Sequence, residues 1–348
     1  MLFEEDRYFD YKFPEPQYLG AKYVHRCWIK QFIPDDVQTA IDAFSGSQSI
    51  AYMFKQMGLQ TYTNDFLKFN HQIGLALIEN KAETLTAEDV DILFSPNSDA
   101  EKYNLCETLF SNVFFEQSEA QFIDAFRSNV SRLGNVYKQA LALAVMNRSL
   151  TRKVTMGHFA HTKALDYAAD PERVKRNRSL VRPIREIFSE LLTDYNAAVF
   201  DNQCDNKSYN ENILDLLPSL HADLVYFDPP YCDSHSDYQG FYHLLETYTE
   251  YWKDKTFVNG VKRYEPRRYS GFEKKTDILQ SFEELFSKAT HIPYWLVSYN
   301  DRSFPDIDTL VAMISKCRHV SIQRKPYANG RGGKGSVAGS NEILLVCK

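Results

Sequence analysis

The tetrapeptide Asp228-Pro229-Pro230-Tyr231 carries the residue types in this chain that are best suited to chemistry. It follows the apolar run Leu224–Phe227, and ligands of open α/β sheets bind beyond the carboxyl ends of such strands. Two consecutive prolines remove N–H donors, so a carbonyl and the Asp228 carboxylate can accept both hydrogens of an aromatic amine. These acceptors favour positive charge on the nitrogen, and the Tyr231 ring offers a stacking surface for a base. The alternative is a Pro-rich turn without chemistry.

A loop of small residues follows the first predicted strand, in the segment Asp42-Ala43-Phe44-Ser45-Gly46-Ser47-Gln48-Ser49. Small side chains let a ligand approach the backbone, and a helix N-terminus favours negative charge. The loop lacks both G-x-G-x-x-G and G-K-[ST], which argues against NAD and ATP. A cluster of N-capping serines without a ligand is the alternative.

An acidic residue, Asp65, follows the second predicted strand. A carboxylate about twenty positions beyond such a loop can bind the two hydroxyls of a ribose. Asp65 could equally cap the helix that follows it.

Short apolar runs separated by helical patterns predict an α/β fold, with a mostly parallel sheet and helices on both faces. A Gly-rich segment without a helix joins the last two runs, which favours an antiparallel C-terminal hairpin at the sheet edge. The seven predicted strands are Thr39–Phe44, Thr61–Asn64, Ala197–Phe200, Leu224–Phe227, Tyr294–Val297, Val320–Gln323 and Ile343–Val346.

The stretch between the second and third predicted strands is too long for an ordinary crossover. Its first part has a helical pattern, with helices expected over 118–133 and 135–150, and its later part is basic. We therefore expect a catalytic domain made of residues 1–80 and 195–348, and an inserted helical and basic lobe over 81–194.

Composition is that of an ordinary globular protein, and no apolar run in the sequence is long enough to span a bilayer. The six cysteines are scattered without a CxxC pair, which indicates reduced thiols, no metal site and a cytoplasmic location. The formal net charge is −6, but phosphate binding depends on local clusters of basic residues, so the overall sign excludes little.

The order of loop, acidic residue and DPPY resembles that of the Dam-like, alpha-group DNA adenine-N6 methyltransferases, which share a Rossmann-like fold. The segment Tyr18-Leu19-Gly20-Ala21-Lys22 looks like their N-terminal cofactor motif, and Asp42–Gly46 looks like their F-x-G loop. Ser298-Tyr299-Asn300 is similar to the end of their fifth strand, so the likeness covers most of the chain. Gln48 stands where the family usually has a second glycine, and it costs energy if the backbone there has a positive φ.

The resemblance implies S-adenosylmethionine as methyl donor and double-stranded DNA as substrate, with the target adenine flipped out of the helix. The implied catalytic residues are Asp228 and the Pro229 carbonyl on N6, next to Pro230, with Tyr231 stacked on the base. Asp65 would hold the ribose of the cofactor and Asp205 its adenine. The implied cofactor residues are Tyr18, Gly20, Lys22, Asp42, Phe44, Ser45, Gly46, Ser47, Asp65, Asp205 and Asp228.

Three basic stretches, 148–185, 262–275 and 324–335, suit contacts with DNA, although a solvated helix face is the alternative for each. In the second stretch Lys and Arg alternate with Tyr264 and Tyr269. The residues expected to contact DNA are Arg148, Arg152, Lys153, Arg176, Arg178, Lys262, Arg263, Arg267, Arg268, Arg331 and Lys334.

Several alternatives stay open at this point. An RNA adenine-N6 methyltransferase would use the same pocket. Enzymes that act on N4 of cytosine more often have Ser at position 228, and Asn there would suggest a protein amide as substrate. A non-catalytic DNA-binding regulator has only Gln48 in its support. For the DNA enzyme, we expect a restriction-modification or phage/host DNA-modification context, with a cognate restriction endonuclease as a partner.

Overall fold

One seven-stranded sheet organises the computed structural model, which describes residues 11–231, 237–258, 260–326 and 341–348. Its strands are β1 (Thr39–Asp42), β2 (Gln60–Asn64), β3 (Lys207–Tyr209), β4 (Leu224–Phe227), β7 (Tyr294–Asn300), β8 (Val320–Pro326) and β9 (Asn341–Cys347). Their order is β3-β2-β1-β4-β7-β9-β8, with β9 antiparallel to both neighbours and the other pairs parallel. Strands β5 (Thr256–Val258) and β6 (Arg263–Glu265) form a separate antiparallel ribbon. The predicted parallel sheet and antiparallel hairpin are confirmed.

Fifteen α-helices lie within the described residues, and several of them flank the sheet. They are α1 (Arg26–Lys30), α2 (Ser49–Gln56), α3 (Lys68–Gly74), α4 (Ala87–Leu93), α5 (Leu105–Phe110), α6 (Gln117–Val130), α7 (Val136–Arg152), α8 (Ala164–Ala168), α9 (Pro171–Arg176), α10 (Ile184–Ala197), α11 (Ile213–Leu216), α12 (Tyr238–Phe241), α13 (His243–Glu250), α14 (Ile278–Lys288) and α15 (Ile307–Ile314). A π-helical turn, Leu75–Glu79, continues α3. No helix within these described ranges combines the length and the apolarity that crossing a membrane requires.

The centre of the sheet is covered on both faces, which explains the unbroken apolar run of β4. Leu224 and Tyr226 pack into a core on one face, and Val225 and Phe227 pack into the core on the other. Successive residues of a strand point to opposite faces, and a core covers each face here, so all four side chains are buried. This packing fixes the register of β4 and therefore the position of Asp228 at its carboxyl end.

The helices between β2 and β3 share one hydrophobic core with the rest of the chain. Phe126 of α6, Val145 of α7 and Phe188 of α10 belong to the same buried cluster as Phe13 and Tyr52. The two helices predicted over 118–133 and 135–150 are confirmed as α6 and α7. Helix α10 runs through residue 194, where the predicted inserted lobe ends. The division of the chain into two domains stays a prediction.

The predicted third strand, Ala197–Phe200, is wrong. Helix α10 extends to Ala197, because the apolar stripe that includes Phe188, Leu191 and Tyr195 keeps a helical period up to that point. The third strand is Lys207–Tyr209, a half-buried edge strand that pairs parallel to β2. Such a short polar strand has no apolar run by which its sequence could reveal it.

Candidate active site

A cavity of about 290 Å³ opens at the carboxyl ends of β1, β2 and β4. Asp42 ends β1, Asp65 follows β2 and Asp228 follows β4, so the topology of a parallel sheet brings these three carboxylates to one edge. The structure gathers every predicted cofactor residue except Asp205 around this cavity, namely Tyr18, Gly20, Lys22, Asp42, Phe44, Ser45, Gly46, Ser47, Asp65 and Asp228.

Asp205 lies away from the cavity, and its expected place beside the cofactor is wrong. It precedes β3, is exposed, and forms an ion pair with Lys207 at 3.2 Å. Because β3 runs parallel to β2, the end of β3 that reaches the cavity is the opposite one, where Glu211 and Ile213 line the wall. Glu211 is a carboxylate that comes just after β3, as Asp65 comes after β2. The sequence does not indicate it, because the third strand was predicted at 197–200.

The loop Asp42–Ser49, which we call the cofactor loop after its predicted role, packs against Tyr18 of the segment Tyr18–Lys22. Gly46 has φ +46°, and a Cβ atom there would come within 2.9 Å of the Tyr18 ring. The Tyr18 ring stacks against those of Tyr238 and Tyr242, with centroid distances of 5.5 and 4.8 Å. The backbone N–H of Leu19 donates to the Tyr242 hydroxyl at 2.8 Å. The close approach of Tyr18 and the backbone angle both explain why position 46 is a glycine.

Two buried carboxylates accept hydrogen bonds from this part of the backbone. Asp65 accepts from the N–H groups of Gly46 and Leu67, each at 2.8 Å, and burial raises the pKa of Asp65. Asp42 accepts from the N–H of Ala51 at 3.0 Å, and burial followed by the charge of Asp228 raises the pKa of Asp42. The other oxygen of Asp42 is buried and has no hydrogen-bond partner among the described residues. Asp42 therefore suits a ligand that donates a hydrogen bond.

Gln48, the departure from the family loop, anchors the loop from behind. Its backbone is left-handed, with φ +67°, so the expected conformational cost is present. Its side chain is fully buried, and its Nε2 donates to the Asn70 carbonyl at 3.2 Å. The Thr63 hydroxyl donates to its Oε1 at 2.5 Å. The amide thus serves neither solvent nor cofactor, and its two hydrogen bonds offset the backbone strain.

We expect Gln48→Gly to be more stable than Gln48→Ala. Both variants lose the two amide hydrogen bonds, but only alanine keeps a Cβ atom at a positive φ, which costs about 1 kcal/mol. Urea unfolding of the two variants measures the difference directly. Equal free energies of unfolding would mean that no strain is held at this position.

The predicted catalytic tetrapeptide is organised around an ion pair. The Asp228 Oδ1 atom lies 3.0 Å from the Lys22 ammonium and also accepts a hydrogen bond from the Tyr231 hydroxyl. Lys22 in turn donates to the Tyr231 hydroxyl at 2.9 Å, so one ammonium links the segment Tyr18–Lys22 to both Asp228 and Tyr231. Asp228 and Pro230 line the cavity, Pro229 is buried, and the half-buried Tyr231 ring packs edge-on against Tyr299.

The charges around Lys22 keep a cation beside Asp228. Burial alone would lower the pKa of Lys22, but the neighbouring Asp228 and Glu342 outweigh it and raise that pKa above its usual value. Glu342 lies 3.5 Å from the same ammonium, and burial, with the charge of Asp228, raises the pKa of Glu342 to about 7. The cluster holds Asp228 in one orientation at the end of β4.

The structure separates the predicted DNA contacts of the first basic stretch. Arg176 and Arg178 are exposed. Lys153 is buried and pairs with Glu119 at 2.9 Å, so its expected contact with phosphate is wrong. The remaining two are only partly exposed and bind protein acceptors, Arg148 donating to Gln17 at 2.8 Å and Arg152 pairing with Glu190 at 3.0 Å.

In the second basic stretch, two adjacent arginines bind carboxylates. Arg267 lines the cavity and pairs with Asp237 at 2.8 Å, and Arg268 pairs with the buried Glu246, also at 2.8 Å. Lys262 and Arg263, at the start of β6, are half-buried. Arg331 and Lys334 of the third stretch lie outside the described residues.

The cavity also has a wall that sequence reasoning missed. Phe66 follows Asp65, Tyr238 and Gln239 come from α12, and Tyr269 and Lys274 follow β6. Tyr269 and Lys274 belong to the second basic stretch, which the sequence assigns to DNA. Phe66, Tyr238 and Gln239 belong to no motif, and only the fold brings them to the site.

The sheet topology is consistent with a methyltransferase fold, and the chain belongs to the D12 class N6 adenine-specific DNA methyltransferase family, which it matches over residues 18–313. It is therefore a DNA adenine-N6 methyltransferase, and the family membership decides for this activity over the RNA, cytosine, protein-amide and non-catalytic alternatives.

Three relatives illustrate the match. The chain is 36% identical over 342 residues to the type II methyltransferase M2.HphI of Haemophilus parahaemolyticus, covering 96% of this chain and 98% of that protein. It is 26% identical to the modification methylase LlaI of Lactococcus lactis subsp. lactis, over 95% of this chain and 55% of that protein. It is 24% identical to the type II methyltransferase M.FokI of Planomicrobium okeanokoites, over 86% of this chain and 46% of that protein. The chain thus spans about half the length of the last two relatives.

Proposed function

We propose that the protein uses S-adenosylmethionine to methylate N6 of an adenine flipped out of duplex DNA at a specific site. The observation that carries this proposal is that Asp228, at the end of β4, lines the same cavity as Phe44 and Asp65. The cofactor loop precedes Asp228 along the chain, with a long helical segment between them. This order supports membership of the Dam-like alpha group.

The residues around the cavity fit the proposed cofactor. Asp65 is placed to accept hydrogen bonds from ribose hydroxyls, and the unpartnered oxygen of Asp42 suits the methionyl ammonium. Glu211 and Ile213, rather than Asp205, are assigned to the cofactor's adenine because they line the wall beyond β3. When bound, S-adenosylmethionine would supply a methyl group that its sulfonium already makes electrophilic, and the carbon–sulfur bond that breaks would leave its electron pair on sulfur as a neutral thioether.

Asp228 is the residue that we assign to the target amine. Lys22 and Tyr231 bind its Oδ1, so Oδ2 and the Pro229 carbonyl are the assigned acceptors for the two N6 hydrogens. As the nitrogen gains a bond to carbon it becomes positive, and the carboxylate stabilises that charge. Asp228 then takes the proton that leaves N6. Stacking of the base on Tyr231 is part of the same proposal.

Mapping of N6-methyladenine by long-read sequencing tests the function. DNA from cells that express the protein should carry the mark at one recurring sequence, and DNA from cells that express Asp228→Ala should lack it. Purified protein should also bind S-adenosylmethionine in calorimetry. Unmethylated DNA from cells with soluble wild-type protein, or no binding of the cofactor, would refute the proposal.

We assign DNA contact chiefly to the helical segment 81–194, as the target-recognition lobe. Its exposed Arg176 and Arg178 follow one another closely at the end of α9 and just beyond it. Charge reversal at both positions should weaken DNA binding and flatten its salt dependence. The slope of log K against log salt is negative, and each lost phosphate contact makes it less steep by about 0.9.

The measurement is fluorescence anisotropy of a labelled duplex at several salt concentrations. Lys316→Glu is the matched control, since Lys316 is an exposed residue outside the three basic stretches. A salt slope for Arg176→Glu/Arg178→Glu that equals that of the wild type would move the DNA site elsewhere.

The biological context of the proposal is restriction-modification. Relatives are named type II methyltransferases and a modification methylase, which supports a role in protecting DNA from a cognate restriction endonuclease in the cytoplasm. We therefore expect the same cells to contain an endonuclease that cuts the mapped sequence only when it is unmethylated.

A further inference from the structure

A short segment after β6, Arg267-Arg268-Tyr269, which we call the strap, forms part of the cavity wall. Arg267 and Tyr269 line the cavity. Gln239 of α12 binds the strap backbone on both sides, because its Oε1 accepts from the N–H of Arg268 at 3.2 Å and its Nε2 donates to the Arg268 carbonyl. The strap is therefore fixed relative to α12.

The Arg268 side chain contacts the segment that follows β2. Its Nη2 donates to the Phe66 carbonyl at 3.0 Å, and its guanidinium carbon lies 4.8 Å from the centroid of the Phe66 ring. Phe66 comes directly after Asp65 and lines the cavity as well. The same Nη2 forms the ion pair with Glu246 at 2.8 Å.

Glu246 carries this link to the other side of Asp65. It is fully buried on α13 and accepts hydrogen bonds from the N–H groups of Lys68 and Phe69, at 3.0 and 3.1 Å. These are the first two residues of α3, where a carboxylate satisfies N–H groups that the helix leaves without partners. Arg268 thus binds the Phe66 carbonyl, and Glu246 binds the N–H groups of residues 68–69. Both contacts lie within four residues of Asp65 in the chain.

We propose that Arg268, which the sequence assigns to DNA, is a positioning residue for the cofactor site. Through Glu246 and the Phe66 carbonyl it fixes the segment Asp65–Leu67, and therefore the Asp65 carboxylate. The inference rests on the proposed use of S-adenosylmethionine. It assigns the arginine to cofactor affinity, while its neighbour Arg267 faces the cavity.

The test measures binding of S-adenosylmethionine to the full-length protein by calorimetry, without DNA. We expect Arg268→Gln to weaken binding roughly tenfold, within the range that coupling through a neighbouring group produces. Arg268→Lys keeps a cation beside Glu246 but loses the planar fork, so it should be intermediate. The KM for S-adenosylmethionine should rise, while kcat at saturating cofactor stays within about twofold of wild type.

The double variant Arg268→Gln/Glu246→Gln separates positioning from DNA contact. Without Arg268, Glu246 is a buried carboxylate that has lost its cation, and glutamine at that position removes the charge. Glutamine keeps an acceptor for only one of the two α3 N–H groups, but a buried charge without a partner costs more than one unsatisfied N–H group. The double variant should therefore bind the cofactor better than Arg268→Gln does. An arginine that only contacts phosphate would give no such recovery.

Arg318→Gln is the matched control. Arg318 also donates through Nη2 to two backbone carbonyls, those of Thr290 and Ile292, and lies outside the cavity lining. It should lose thermal stability without a change in cofactor affinity. Unchanged cofactor affinity in folded Arg268→Gln or Arg268→Lys, or no recovery in the double variant, would overturn the inference. Failure of the wild-type protein to bind S-adenosylmethionine would instead overturn the proposed function.

Discussion

Alanine at position 228 is expected to lower the rate of methyl transfer at least about a hundredfold at saturating substrates, as loss of one preorganised stabilising group does in other enzymes. The carboxylate lies at the end of the central strand, where Lys22 and the Tyr231 hydroxyl fix its orientation. In the proposed mechanism, its loss removes the negative charge that stabilises the developing positive charge on N6. Asp228 lines a cavity, and Glu342 still lies beside the Lys22 ammonium when Asp228 is lost, so the variant should keep the fold.

Incorporation of tritiated methyl groups into duplex DNA measures this effect. Asp215→Ala, which removes an exposed carboxylate from α11, is the control and should keep full activity. Asp228→Asn keeps one acceptor but not the charge, so its rate should fall between those of wild type and alanine. Transfer by Asp228→Ala at close to the wild-type rate would remove Asp228 from the mechanism.

The parts of the fold that could be predicted are those in which burial leaves a pattern in the sequence. Strand β4 is buried on both faces, so it reads as the continuous apolar run Leu224–Phe227, and its bounds were predicted to the residue. The residues just beyond β1, β2 and β4 then follow from topology, because the ends of parallel strands meet at one edge. This is why the sequence alone predicts that Phe44, Asp65 and Asp228 share one cavity.

The errors arose where burial leaves no such pattern. Strand β3 is short, polar and half-buried, and the nearby apolar end of α10 has the more strand-like sequence. The shift of the predicted strand placed Asp205 at the wrong end of the strand and concealed Glu211. The predicted DNA contact of Lys153 is wrong for a related reason. A basic stretch does not show which of its side chains is buried against a carboxylate, as Lys153 is against Glu119.

Contacts between distant segments could not be predicted at all. Glu246 binds the start of α3 from a helix far along the chain, and Arg268 joins it from a third segment. Each residue alone is an ordinary charge in the sequence. Only their shared location beside Asp65 supports the proposed role in the cofactor site. A single sequence contains no pattern from which contacts between three distant segments could be predicted.

The Asp65→Asn variant is expected to raise the Kd for S-adenosylmethionine by about 5- to 150-fold, the equivalent of roughly 1–3 kcal/mol for a buried donor left without an acceptor. Asp65 accepts from Gly46 with one oxygen and from Leu67 and Asn70 with the other. Asparagine offers one acceptor and one donor, so either the Gly46 N–H or the Leu67 N–H must face an NH₂ group. The cofactor loop then shifts, and the ribose loses a charged acceptor.

Calorimetry with Asp223→Asn as control separates this local effect from a loss of stability. Asp223 also accepts two backbone N–H bonds, from Gln38 at 2.9 Å and Thr39 at 2.8 Å, but at the opposite end of the sheet. Both variants should unfold at lower urea concentrations, yet only Asp65→Asn should bind the cofactor weakly. Its kcat at saturating cofactor should change far less than its KM, because the proposed function assigns Asp65 to the ribose and not to the transferred methyl group. Equal loss of affinity in the two variants would mean that the sheet loosens as a whole, and Asp65 would then have no particular role in holding the cofactor.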